Sequence, residues 1–190
     1  MEYNFQISKV DRNERNKHAS RVILFTGLSG AGKSTLSNFL EKKLFERGIN
    51  TYILDGDNIR NGINKELSFS SSDRAENIRR VAEISKLFID AGVVVLACLI
   101  SPYEKDRNEM RKIVGTDNFI EVYVNSPLEI CEKRDTKGLY KQARQGVIKS
   151  FTGISDPYEE PTNPSIEIKT NDLSIDESVQ ILLDYILPKL

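Results

Sequence analysis

The sequence predicts an α/β fold of three layers, a parallel sheet with helices on both faces. Two observations carry this. Short apolar runs of strand character alternate with stretches of helical periodicity along the chain, the pattern of strand–helix–strand crossovers. One of those runs, residues 93–100, is almost continuously apolar, as a central strand covered on both faces must be. A third observation narrows the class. Residues 27–35 read GLSGAGKST and fit G-x-x-x-x-G-K-[ST], with Gly27, Gly32, Lys33 and Ser34 in the defining positions. Residues 21–26 before them are strand-like, and Leu36, Phe39, Leu40 and Leu44 after them recur at helical spacing. Strand, loop and helix in that order are the setting of a working phosphate loop, so the expected architecture is the P-loop NTPase fold.

The 190 residues suit one domain at 21–190, preceded by an N-terminal arm at 1–20. A hydrophobic fraction of 39% with 29% charged residues implies a folded chain. The net charge of −1 speaks against nucleic acid as a partner, so any anion site must be local. No apolar run is long enough to span a bilayer and no signal peptide is visible, which predicts a cytoplasmic protein without membrane contact. Cys98 and Cys131 sit in apolar surroundings without metal spacing and read as reduced core residues. His18, the single histidine, lies in a polar stretch where a role as essential base is not expected.

In chain order, the arm carries a short patch at residues 3–7 that packs on the body or a partner subunit, or else is a mobile tail. The phosphate loop and its helix follow, the helix ending near Gly48. The glycines let backbone N–H groups converge on phosphate oxygens at the positive end of that helix. Lys33 reaches toward the β- and γ-phosphates, and the Ser34 hydroxyl is the expected Mg²⁺ ligand. Residues 51–54 form a second strand that ends in Asp55 and Asp57. Beyond strand ends is where open α/β sheets gather ligands, so both carboxylates should face the phosphate loop. One could hold metal-bound water and the other accept a proton from a substrate hydroxyl.

Ser72 or Asp73 should cap a helix running to Asp90, closed by Gly92, with Ile78, Val81, Ile84, Leu87 and Phe88 as its buried stripe. Arg74 and Asn77 share another face. With Arg60 they make either an anion pocket or a solvated charged surface. The strand at 93–100 ends at Ser101-Pro102, again at the ligand edge. A helix at 103–114, a strand at 119–124 and a short helix opened by Ser126-Pro127 come next. Residues 134–160 mix cations, glycine, proline and aromatics, the composition of a basic lid or of an ordinary surface helix and loop. Residues 166–168 make the last strand. Ser174 caps the last helix, with Ile175, Val179, Leu182, Leu183 and Ile186 buried.

A phosphate loop names a nucleotide, not a reaction. Six separated stretches go further: GLSGAGKST, LDGDNIRNGI, LSFSSSDRAENIRR, ISP, KGLYKQARQG and FTGISDPYEEP. Together they resemble the adenylylsulfate kinase family, in family order, over roughly residues 22–190. The resemblance implies ATP and Mg²⁺ as cofactors and adenosine 5′-phosphosulfate as the small-molecule acceptor, phosphorylated at its 3′-hydroxyl. It also implies a homodimer. Carried over position by position, the ATP loop is Gly27, Leu28, Ser29, Gly30, Ala31, Gly32, Lys33, Ser34 and Thr35. Acceptor contacts fall on Asp55, Asp57, Asn58, Arg60, Phe69, Arg74, Asn77, Ile100, Lys137 and Phe151. Asp57 is the expected proton acceptor. Phe69 and Phe151 would stack the adenine, while Arg60 and Arg74 would fork onto the phosphosulfate. The ISP serine, described in the family as a phosphoserine intermediate, is Ser101; direct in-line transfer needs no such intermediate and gives it a positioning role. Asn61, Thr136 and Ser150 depart from the usual His, Pro and Gly, leaving room for altered affinity or a related acceptor. A non-catalytic nucleotide-binding domain is the alternative that intact Lys33, Ser34, Asp55 and Asp57 oppose.

Overall fold

The computed structural model describes residues 5–190. Its centre is β1 (Val22–Thr26), every residue of which is buried. Side chains alternate between the two faces of a strand, and β1 divides accordingly: Ile23 and Phe25 join one core, Val22 and Leu24 the other. The neighbouring β3 (Val94–Cys98) splits the same way, Leu96 to the first core and Val95 and Ala97 to the second. With β2 (Thr51–Asp55), β4 (Phe119–Asn125) and β5 (Ile166–Lys169) they form a five-stranded sheet in the order β2-β3-β1-β4-β5. Every pairing is parallel.

Helices cover both faces. The first core takes Leu36, Leu40 and Leu44 from α2 (Lys33–Phe45), after the short α1 (Lys9–Asn16), and Val179, Leu182, Leu183 and Ile186 from the last helix. The second takes most of its helical residues from the two elements that flank β3 in the chain, with Ile78, Val81, Ala82 and Ile89 on one and Met110 and Val114 on the other. Those two are α4 (Ser71–Asp90) and α5 (Glu104–Val114), which follow α3 (Gly56–Asn61). After β4 come α6 (Leu128–Arg134), α7 (Leu139–Arg144) and α8 (Ile175–Ile186). The three layers expected from the alternating pattern are therefore present.

Details depart from expectation for local reasons. The α4 N-cap is Ser70, not Ser72 or Asp73, because its side chain accepts from the Asp73 N–H. Leu87 is 72% exposed and leaves the expected stripe, while Ala82 and Ser85 are buried in it. Small residues let this long helix lie close to the sheet, which turns Leu87 outward. Phe39 and Ile175 are also partly exposed rather than buried. The turn after β2 is a full short helix, α3, because the Asp55 side chain caps it by accepting from the Asp57 N–H.

Helix α1 of the arm packs on the body, while Phe5 and Ile7 of the expected patch are exposed. Ser8 and Asp11 form a capping box at the start of α1. Arg12 then donates to the Asp90 backbone carbonyl at 3.1 Å, and Asn16 to that of Gly92 at 3.0 Å. Residues 1–4, including part of the 3–7 patch, lie outside the described residues. His18 is buried, and its Nε2 accepts from the Asn50 N–H at 3.1 Å. That leaves Nδ1 protonated toward the Ala19 carbonyl at 3.0 Å, so the ring is a structural pin.

Candidate active site

The ends of β1, β2 and β3 open onto one cleft of about 1020 Å³, at the top of the usual size for a single small ligand. Its floor is the phosphate loop. Gly27 has φ 152°, and a Cβ there would sit 2.4 Å from the Val124 carbonyl oxygen, so only glycine lets the loop leave β1 this close to β4. Gly32 opens α2 at φ 107°.

Every loop carbonyl from Gly27 to Ala31 has a protein donor. The Lys33 ammonium donates to Gly27 at 2.9 Å and to Leu28 at 2.7 Å. Tyr140 donates its hydroxyl to Ser29 at 2.9 Å, Arg134 a guanidinium N–H to Gly30 at 3.2 Å, and Thr170 its hydroxyl to Ala31 at 2.8 Å. With the acceptors engaged, the loop offers anions its amides and the start of α2. Burial pushes the Lys33 ammonium down to about 8, against the opposing pull of nearby anionic groups including Asp55 and Asp57.

Asp55 faces the loop as expected, its Oδ2 accepting from the Ser34 hydroxyl at 2.8 Å while Oδ1 caps α3. A hydroxyl and a carboxylate this close are hard oxygen donors of the kind Mg²⁺ selects, so the residues present fit that ion. Asp57 lines the same cleft, but it is exposed and pairs with the Lys137 ammonium rather than touching the loop.

Arg60, Phe69, Arg74, Asn77, Ile100, Ser101 and Phe151 all line this cleft with Lys33. The surface reading of Arg74 and Asn77 is overturned, since both are buried. Asn77 accepts from the Asn64 side-chain amide at 3.0 Å. The Arg74 guanidinium is already engaged by protein. It donates to the Phe69 carbonyl at 2.9 Å, the Thr152 hydroxyl at 3.1 Å and the Ser150 carbonyl at 3.1 Å, and it meets Asp156 at 3.5 Å. It fastens the segment at residues 150–156 to α4. Arg60 lies over the Phe69 ring at 4.5 Å and donates to the Ser68 carbonyl at 2.9 Å. Phe151 is buried edge-on against Tyr140, ring centroids 4.9 Å apart.

Three expected residues are not in the cleft wall. Gly27 and Leu28 lie behind it, Leu28 lining a second hollow with Gly153–Glu160 residues, and Asn58 is exposed on α3. Sequence reasoning missed Tyr140 and Thr170, which brace the loop. Tyr140 stood in the KGLY stretch as an undifferentiated lid residue, and Thr170 had only its place after the last strand. Cys98 and Cys131 are free and buried, as expected, and burial pushes the Cys98 thiol up to about 12. Among the described residues no helix is long and apolar enough to cross a membrane.

The family model for adenylylsulphate kinase matches residues 19–169. A probable adenylyl-sulfate kinase of Halalkalibacterium halodurans is 58% identical over 184 residues, 97% of this chain and 88% of that protein. The adenylyl-sulfate kinase of Oceanobacillus iheyensis is 55% identical, over 96% of this chain and 92% of its own. The solved structure of the Mycobacterium tuberculosis APS kinase CysC, in complex with AMPPNP and APS, superposes with a TM-score of 0.86 at 46% identity, covering 89% of this chain and 98% of that one. A parallel sheet built around this phosphate loop, a family model matched over residues 19–169 and 58% identity over 97% of the chain converge: the chain belongs to the adenylylsulphate kinase family.

Proposed function

We propose how this chain performs the adenylyl-sulfate kinase reaction, transfer of the ATP γ-phosphoryl to the 3′-hydroxyl of adenosine 5′-phosphosulfate. The observation that carries the reading is that Lys33, Ser34, Asp55, Asp57, Arg60, Phe69 and Phe151 share one cleft. The loop amides and Lys33 bind the donor phosphates. Ser34 and Asp55 would hold Mg²⁺, which when bound supplies positive charge to phosphate oxygens. Asp57 accepts or orients the proton of the acceptor hydroxyl. For that it must exchange its lid partner, so Lys137 passes from Asp57 to the anionic acceptor. Phe69 and Phe151 contact the adenine, and Arg60 meets the phosphosulfate. Arg74 acts mainly by holding Phe69, Ser150 and Thr152 in place, a change of emphasis from a direct anion fork. The Ser101 hydroxyl positions the acceptor.

The departures from the family pattern are compatible with this acceptor. Ser150 contributes its carbonyl, which any residue supplies, and Asn61 is exposed. The relative crystallised with AMPPNP and APS supports the donor and acceptor pair. We further propose a homodimer in the cytoplasm, the location being supported by two buried free thiols; sedimentation would check the oligomer. The deciding experiment is ATP-dependent ADP release across a panel of nucleoside 5′-phosphosulfate, 5′-phosphate and sugar acceptors, with Asp57→Ala alongside. Adenylylsulfate should be strongly preferred and Asp57→Ala should lose several orders of magnitude in rate. An Asp57→Ala enzyme within tenfold of wild type refutes the role given to Asp57.

A further inference from the structure

The turn after β3 carries an unusual conformation and an unusual set of supports. Ser101 has φ 45°, and with Lys17 at φ 60° it is one of two non-glycine residues in the left-handed region among the described residues. A left-handed serine persists only where its surroundings impose it. Here each consecutive carbonyl is held from a different part of the fold. The Thr26 hydroxyl at the end of β1 donates to Ile100 at 2.7 Å, and Tyr158 in turn supplies its hydroxyl proton to Thr26 at 3.0 Å. The Arg107 guanidinium on α5 donates to Ser101 at 2.8 Å. The Glu159 backbone N–H, on the return from the lid, donates to Pro102 at 2.8 Å.

Arg107 is itself built in. Its side chain is 1% exposed and stands 2.9 Å from Glu121 on β4, an ionic contact in which the N–H points off the oxygen. Arg111 completes the pairing at 2.7 Å to the other Glu121 oxygen. Arg107 is absent from the cleft wall, whereas Ser101 lines it with a buried hydroxyl that has no partner among the described residues. The buried Arg107–Glu121 pair thus reaches the cleft through one hydrogen bond, to the carbonyl of the residue whose hydroxyl faces it.

We propose that Arg107, held by Glu121, is a positioning residue of the transfer: by fixing the Ser101 carbonyl it aims the Ser101 hydroxyl at the acceptor, without touching either substrate. This rests on the acceptor reading given above. Because removing one member of a buried ion pair threatens folding, the test replaces both, Arg107→Met with Glu121→Leu, a change that buried pairs often tolerate. Arg107→Lys, Ser101→Ala and the triple combination complete the set. Each is measured for kcat/KM toward adenylylsulfate at saturating ATP, for the KM of ATP, and for melting temperature.

The paired variant should lose roughly 10–100-fold in acceptor kcat/KM, the value of one lost hydrogen bond from a charged donor, with the KM of ATP within about twofold. Arg107→Lys, which keeps the charge but not the fork, should fall by a smaller factor at near wild-type melting temperature and stands in if the paired variant does not fold. Adding Ser101→Ala to the paired variant should cause no further loss, because both changes remove one function. A folded paired variant with wild-type acceptor kcat/KM overturns the proposal. So does an Arg107→Lys enzyme with wild-type acceptor kcat/KM, a triple variant whose loss is the product of the separate losses, or an equal rise in the KM of both substrates. A wild-type enzyme that releases no ADP with adenylylsulfate defeats the acceptor reading itself, an outcome distinct from all of these.

Discussion

Arg74→Ala is expected to unfasten the lid rather than merely weaken an anion contact. The guanidinium donates to Phe69, Ser150 and Thr152 at 2.9 to 3.1 Å and faces Asp156 at 3.5 Å. Its side chain is 8% exposed, so water cannot replace these bonds where they are made. Each hydrogen bond to a charged group contributes about 1.5–3 kcal/mol, but the bonds share one donor and are not additive. The Asp156 carboxylate is partly exposed and adds little. Leaving buried neutral acceptors without a donor costs about 1–3 kcal/mol per group, not additively, so a total of about 2–4 kcal/mol is the expected scale. Much of it should appear as local opening of residues 145–156, the segment these bonds tie to α4. The assay is urea denaturation together with limited proteolysis of the lid, alongside the KM for the acceptor. Arg74→Lys should rescue little, because an ammonium cannot reach the Phe69, Ser150 and Thr152 acceptors with one fork. A shift equivalent to less than about 1 kcal/mol, with lid cleavage unchanged, would show that these bonds do not hold the lid.

Three further outcomes follow from the site. Lys33 has a folded-state pKa of about 8, so its ammonium is lost as pH rises through that value. ATP affinity measured by calorimetry should therefore weaken between about pH 7 and 9.5, and a flat profile would contradict the burial argument. Tyr140→Phe removes the donor to the Ser29 carbonyl; it should cost about 1–2 kcal/mol, lower the melting temperature by a few degrees and raise the KM of ATP, and unchanged values for both would refute the brace. Gly27→Ala forces a methyl against the Val124 carbonyl, so it should abolish ATP binding or destabilise the chain by more than about 2 kcal/mol, measurable by melting with and without nucleotide.

The fold was legible because its signals are local: an apolar run at 93–100 dictates a buried strand, and the glycine–lysine motif dictates the turn between β1 and α2. The caps were less so. Three adjacent serines at 70–72 can each serve as N-cap, and only the neighbouring Asp73 N–H decides. Leu87 was misassigned because periodicity counts apolar residues, whereas packing here selected Ala82 and Ser85 for their size. The candidate site was legible wherever residues belong to a contiguous motif, such as Asp55 and Asp57. Arg107, Tyr140 and Thr170 act across the fold, from α5, from the lid and from beyond β5. Their partners are backbone carbonyls, which any residue carries, so no pattern in the sequence marks the connection. The capping box at Ser8 and Asp11 was readable in principle and marks the start of α1.

The row of occupied carbonyls beneath the nucleotide loop has a thermodynamic meaning. Lys33, Tyr140, Arg134 and Thr170 are drawn from three separate regions of the chain, so the loop takes its shape when the domain folds. Its entropy is surrendered then, and an incoming triphosphate meets a rigid receptor with little left to organise. Backbone order parameters at residues 29–31 should accordingly be high before nucleotide arrives and rise less on binding than those of residues 145–156.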